Sequence, residues 1–357
     1  MTFPIDMSGG CPLPEHAHRA TKRGLVAGIA AVTLIVGGCA KNPLDSAPPT
    51  IEPARAAQSP PAVDAPAGQV LPLAGSPQAA AVDAATGSLV VFTPGDAAVS
   101  RAALTVFGRS GAPRTVTLPG PATAFADDGR GTAYAATRGG FFTVDLASGT
   151  STTTTVDGEQ GTDFTAIARR ADGAVVLGSA AGTAFTLADD DTVIGRAGNF
   201  ARVDAIVSQG DTAVVLDRSQ TSVTELKPDG SPGLALRAGL GATTMAADSM
   251  GRVLVADTRG GQLLVFGVDP LLERQAYPVG GSPYGVAGSK TLVWVSLPAV
   301  NTVVGYDLAT GIPVEKVRYP TVQQPNALAV DDTTNTLYVV SAAGGGVQVI
   351  RDADGAR

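Results

Sequence analysis

The chain has 357 residues, 44% of them hydrophobic and only 16% charged, with 44 glycines, 25 prolines and a net charge of −7. So little charge argues against a Lys/Glu-rich helical protein, and so much Gly and Pro points to many turns between short strands. An acidic chain lacks the basic surface that phosphate contacts require, so no nucleic acid is expected as a partner.

The first element is a processing signal. Arg19, Lys22 and Arg23 precede an apolar run from Leu25 to Val36, followed by Val36-Gly37-Gly38-Cys39. The run is too short to span a bilayer comfortably, which takes about 20 apolar residues. An aliphatic residue, two small residues and a cysteine resemble the bacterial lipobox. The small residues let a peptidase reach the backbone, and the Cys39 thiol is the nucleophile for lipid transfer. Residues 1–38 are therefore expected to be a signal peptide, with Cys39 lipidated and the chain anchored on the extracytoplasmic side of the cell membrane. Two or three acyl chains give stable anchoring where one does not. His16, His18 and Cys11 all precede Cys39, so the processed chain has no histidine and a single cysteine.

Residues 40–68 hold seven prolines and no aromatic residue. Such a segment cannot bury enough surface to fold alone. With Cys39 it is expected to be a disordered tether over 39–68, reaching about 3 Å per residue where extended.

From residue 69 the sequence repeats. One six-residue register recurs as QAAAVD (78–83), ATAFAD (122–127), FTAIAR (164–169), VDAIVS (203–208), TTMAAD (243–248), YGVAGS (284–289) and NALAVD (326–331), at steps of 44, 42, 39, 40, 41 and 42 residues. Each copy leads through a turn into a second β-rich run (88–92, 132–136, 174–178, 212–216, 252–256, 291–296, 336–341). A third follows in most copies, and a fourth closes them. Four short strands in a period of about 40 residues are the mark of propeller blades. The last copy stops after three strands, and 69–74 (QVLPLA) is free to supply the fourth. The fold expected for 69–357 is all-β: a single β-propeller of seven four-stranded blades closed by N- and C-terminal strands sharing one blade, with six or eight blades as the alternative. Such pairing hides both sheet edges. Asp83, Asp127, Asp248 and Asp331 recur at the sixth register position. There an Asp side chain is expected to accept turn N–H groups.

The segment 294–311, WVSLPAVNTVVGYDLATG, resembles the YVTN-type (YncE-like) propeller repeat, with its Asn-Thr-Val run and Asp-x-x-Thr-Gly. The runs DFTAIARR (163–170), ATTMAAD (242–248), ADTRGGQLLVFGVDPL (256–271) and 301–331 together resemble the LppL-like actinobacterial lipoproteins. That resemblance covers about residues 40–357 and implies a membrane-anchored cell-envelope propeller. It carries over no catalytic residue.

Propellers bind ligands at the channel mouth, where the innermost strands begin. The side chains expected there include Gln78, Asp163, Arg202, Asp204, Thr243, Tyr284 and Asn326. This mixed ring suits a protein or a small polar ligand, or it only closes the channel with hydrogen bonds. Without histidine, Ser-His-Asp and Cys-His chemistry has no base in the processed chain, and zinc has no soft ligands. No cofactor, metal ligand or catalytic residue is assigned. Asp189-Asp190-Asp191 reads as a solvated turn, Trp294 as core, and 151–155 (STTTT) as a solvent-facing strand. The function expected is a membrane-tethered binding or interaction platform. The alternative is an envelope hydrolase or lactonase-type propeller using a divalent cation and carboxylates, for which Asp163 and Asp204 qualify by position.

Overall fold

The computed structural model describes residues 49–95, 101–188 and 192–355. The signal segment, Val36, Gly37, Gly38, Cys39 and the Asp189–Asp191 run lie outside these. The described strands form seven four-stranded antiparallel sheets. Each is a blade whose innermost strand lines a central channel: Ala79–Asp83, Ala124–Asp127, Phe164–Arg169, Ala205–Gln209, Ala242–Ala247, Val286–Gly288 and Pro325–Asp331. The protein is a seven-bladed β-propeller.

A blade is sandwiched between two neighbours, so its middle strands bury both faces. That is why Arg252–Asp257 (RVLVAD) and Gln262–Gly267 (QLLVFG) read as nearly continuous apolar runs rather than alternating ones. Seven apolar clusters fill the joints between blades. One joins Val90, Phe92 and Leu104 of the first blade to Ala133, Phe142 and Val144 of the second. Another joins Val340, Val347 and Val349 of the last blade to Leu89, Val91 and Phe107 of the first, which completes the ring. The outermost strands carry little of this load. Ser151–Thr155 is half-buried or exposed throughout, as its five polar residues require. Trp294 is fully buried in the joint between the sixth and seventh blades and stacks on Tyr319.

The seventh blade is made from both ends of the body. Gln69–Leu71 pairs with Val347–Ile350 through Gln69↔Val349, Val70↔Gln348 and Leu71↔Val347. Gly68 turns the chain into this strand at φ +74°, where a Cβ would overlap the Val349 carbonyl oxygen. Only glycine fits such a position without strain.

The recurring aspartates cap the turns after four of the seven innermost strands. Asp83 accepts from Thr86 N (2.7 Å), Asp127 from Gly129 N (2.8 Å), Asp248 from Met250 N (3.0 Å) and Asp331 from Thr333 N (2.8 Å). Asp83 also accepts from Gly131 N of the next blade at 2.7 Å, tying neighbours together.

The structure departs from the expected tether. Residues 51–67, the C-terminal part of the Pro-rich stretch, lie as an extended strap along the body. Ile51 N donates to the Ser219 carbonyl (2.8 Å), and Arg218 donates to the Ala54 carbonyl. Gln324 Nε2 reaches the Ala57 carbonyl (2.8 Å). Asn301 Nδ2 and Gln323 Nε2 both reach the Pro60 carbonyl (2.8 and 2.7 Å), and Gln348 Nε2 reaches that of Ala67 (2.8 Å). The physical reason is complementary bonding. A Pro-rich extended chain has no core of its own and leaves its carbonyls free, and the body supplies the donors. The strap crosses blades four to seven and then enters Gln69–Leu71.

Candidate functional site: the half-roofed channel mouth

Each innermost strand runs from the connection between blades toward the turn that leads to its second strand. The mouth expected from sequence is the end where the innermost strands start. At the same end lie the turns joining second and third strands, among them 218–221, 258–261 and 298–301. The strap contacts to Arg218, Ser219, Asn301, Gln323 and Gln324 fall at this end, so the strap roofs part of the mouth.

The channel below has a volume of about 340 Å³. Gln78, Asp204, Thr243 and Asn326 line it together with small apolar side chains such as Ala80, Ala126, Ile206 and Ala246. Four of the seven residues named from the sequence are thus brought to one space. Their availability differs. Thr243 is buried, and its hydroxyl is engaged with Thr258 Oγ1 (2.6 Å) and the Ala256 carbonyl (3.2 Å). Asp204 accepts from Arg202 Nε (3.1 Å) and Arg218 N (2.9 Å). Burial still raises its carboxyl above the usual range, opposed by the Arg218 N–H bond and the two guanidinium charges. Asn326 Oδ1 accepts from Gln324 Nε2 at 3.2 Å.

Asp163 and Arg202 stand outside the channel lining, on the rim. Asp163 pairs with Arg138 at 2.8 Å, with both side chains more than half exposed. The two carboxylates that position suggested for hydrolysis are therefore each held by an arginine. Among the described residues, no three His, Cys, Asp or Glu side chains form a group able to hold a metal ion.

Tyr284 lies on the strapped side. With Asn326 it borders a second, open space of about 550 Å³, edged by Glu52, Pro53, Arg55 and Ala56 of the strap and flanked by Arg218 and Gln324. Asn326 borders both spaces, so this vestibule and the channel lie side by side there. Sequence reasoning missed Glu52, Arg55, Arg218 and Gln324, because a tether contributes no site and the turn after a second strand carried no ligand signal. One clue was local: LDRSQT (216–221) and ADTRGG (256–261) both put an Asp and an Arg at such a turn. Those aspartates are buried and structural. Asp217 accepts from Ala201 N and Gln220 N, and Asp257 from Leu240 N, Gly241 N and Gly260 N.

At the far end of the channel lining is Asp127. Its Oδ2 is buried and has no hydrogen-bond partner among the described residues. Its carboxyl is pushed up to about 7, chiefly by burial, against the lowering effect of the Gly129 N–H.

The fold and its half-roofed mouth define a channel-bearing seven-bladed propeller. No protein-family model and no curated protein matches the chain. Solved structures do. The chain is similar to one in "Crystal Structure of Mitotic Checkpoint Complex" (13% identity, TM-score 0.67, covering 85% of this chain and 99% of that one). It is similar to "Streptogramin B lyase structure" (10% identity, TM-score 0.66, 80% and 97%) and to a chain of "Kuenenia stuttgartiensis Hydrazine Synthase" (12% identity, TM-score 0.61, 78% and 96%). At such identities the likeness is one of fold, and the varied titles show one scaffold carrying unrelated roles.

Proposed function

We propose that this chain is a lipid-anchored cell-envelope lipoprotein of the LppL-like kind, held on the extracytoplasmic side of the membrane through Cys39, and that its propeller is a binding platform rather than an enzyme. The observation that carries the binding reading is the concave, polar-rimmed mouth continuous with an apolar-walled channel, the usual form of a ligand site. The lipobox-like run and the preceding basic residues support the anchor. The proposed partners are the membrane, through the lipid, and a protein or small polar ligand at the mouth face.

The docked strap refines how the anchor acts. Ile51 is fixed on the body, so only the chain between Cys39 and Ile51 is available as leash. Twelve residues extend to at most about 40 Å. The described chain joins the body at the mouth face, where Ile51 N donates to the Ser219 carbonyl.

Metabolic labelling with an alkyne fatty acid tests the anchor. The unaltered chain and Cys11→Ser take up label and sediment with membranes, and Cys39→Ser does neither. Label retained in Cys39→Ser would overturn the anchor reading.

A further inference from the structure

We propose that the vestibule beneath the strap recognises a small carboxylate whose slender apolar part enters the channel. This rests on the mouth being the binding face and names the ligand class for it.

Charge is the first argument. In a chain of net charge −7, the vestibule sets Arg55 and Arg218 against a single carboxylate, Glu52. Asp204 nearby is paired with Arg202 at 3.1 Å, so one unit of positive charge is left over, which suits a monoanion. A phosphate dianion would place excess negative charge against Glu52.

The donors are the second argument. Arg218 uses only one of its two terminal nitrogens, on the Ala54 carbonyl, and it flanks the vestibule. Its other terminal nitrogen can donate to a carboxylate oxygen there. Arg55 touches Glu52 at 3.3 Å with both side chains largely exposed, so it is free to turn onto an anion. Such exposed pairs contribute little and are easily exchanged. Tyr284 and Asn326 add a phenol and an amide at the boundary with the channel. Arginine is the side chain best shaped for bidentate carboxylate recognition.

The channel is the third argument. Asn326 lines it as well as the vestibule, and its walls carry residues such as Ala80, Ile206 and Ala246. About 340 Å³ accommodates a short alkyl chain and little more. A carboxylate held at the vestibule would thread its chain past Asn326 into this space.

The experiment is calorimetric titration of the protein lacking residues 1–38 with octanoate, octan-1-ol, octylamine and octyl phosphate. Octanoate is expected to bind at least tenfold tighter than the other three. Arg55→Gln and Tyr284→Phe, which leave the body-to-strap bonds in place, should each weaken octanoate about three- to tenfold. Ala246→Phe, narrowing the channel, should weaken octanoate while leaving acetate unchanged, with melting checked to confirm folding. Equal binding of all four ligands, no binding of octanoate, tighter binding of octyl phosphate, or unchanged affinity in both Arg55→Gln and Tyr284→Phe would overturn the proposal. If octanoate fails but a partner is still captured at the mouth, the ligand class is wrong and the binding face stands. If both fail, the mouth is not a binding face.

Discussion

Gln324 and Ser59, 265 residues apart, bond to each other twice: Gln324 N donates to Ser59 Oγ at 2.8 Å, and Ser59 N donates to Gln324 Oε1 at 3.1 Å. With the Gln324 Nε2 bond to the Ala57 carbonyl, this is the latch of the strap. Each such bond is worth about 1 kcal/mol net. Gln324→Ala should therefore raise amide exchange across 51–60 by about 10- to 100-fold while the melting temperature of the blades moves by no more than a few degrees. Unchanged exchange there would mean the latch does not hold the strap.

Asp127 predicts a pH dependence. Its folded carboxyl titrates near 7, against 3.8 ordinarily. The folded state thus holds the proton where the unfolded state has released it. The stability this proton gives is complete below about pH 4 and is lost as pH rises through about 7. Asp127→Asn puts a neutral group there at every pH. It should match the parent near pH 4 and exceed it increasingly as pH rises, by roughly 1–3 kcal/mol at pH 8 in urea melts. Equal stability at pH 8 would contradict this.

Closure of the ring is tested at Gly68. Gly68→Ala forces an L-residue to φ +74° and drives its Cβ into Val349. A cost of at least about 2 kcal/mol is expected. Loosened pairing of Gln69–Leu71 also exposes the edge of Val347–Ile350, so the variant should aggregate more readily on warming.

Two aspartates at the mouth end separate structure from surface. Asp163→Ala removes an exposed ion pair with Arg138 and should change stability by less than about 1 kcal/mol. Asp257→Ala leaves three N–H groups without their acceptor, at Leu240, Gly241 and Gly260. It should cost on the order of 3–5 kcal/mol in denaturant melts. Comparable losses in the two variants would show that burial has been misjudged.

What the sequence revealed and concealed follows from range. Innermost strands announce themselves because each copy repeats the same short apolar register, and the closing strand at Gln69–Leu71 because the last copy is one strand short. Turn residues were legible for the same local reason: Asp83, placed at a turn by the register, accepts from Thr86 N. The strap was not legible. Its composition says only that it cannot fold alone, and its donors lie up to 281 residues away at Gln348. Within the mouth, register placed Thr243 at the channel but could not show that Thr258 already occupies its hydroxyl. Arg218 was invisible as a site residue because its role depends on the strap above it.

Photocrosslinking from the native envelope tests most directly whether the mouth is the binding face. A photoreactive amino acid in place of exposed Arg138, on the open rim, is compared with one in place of exposed Arg130, in the turn at the opposite end of the same blade. Adducts from position 138 and none from position 130 are the predicted result. Adducts confined to position 130 would contradict the mouth as the binding face.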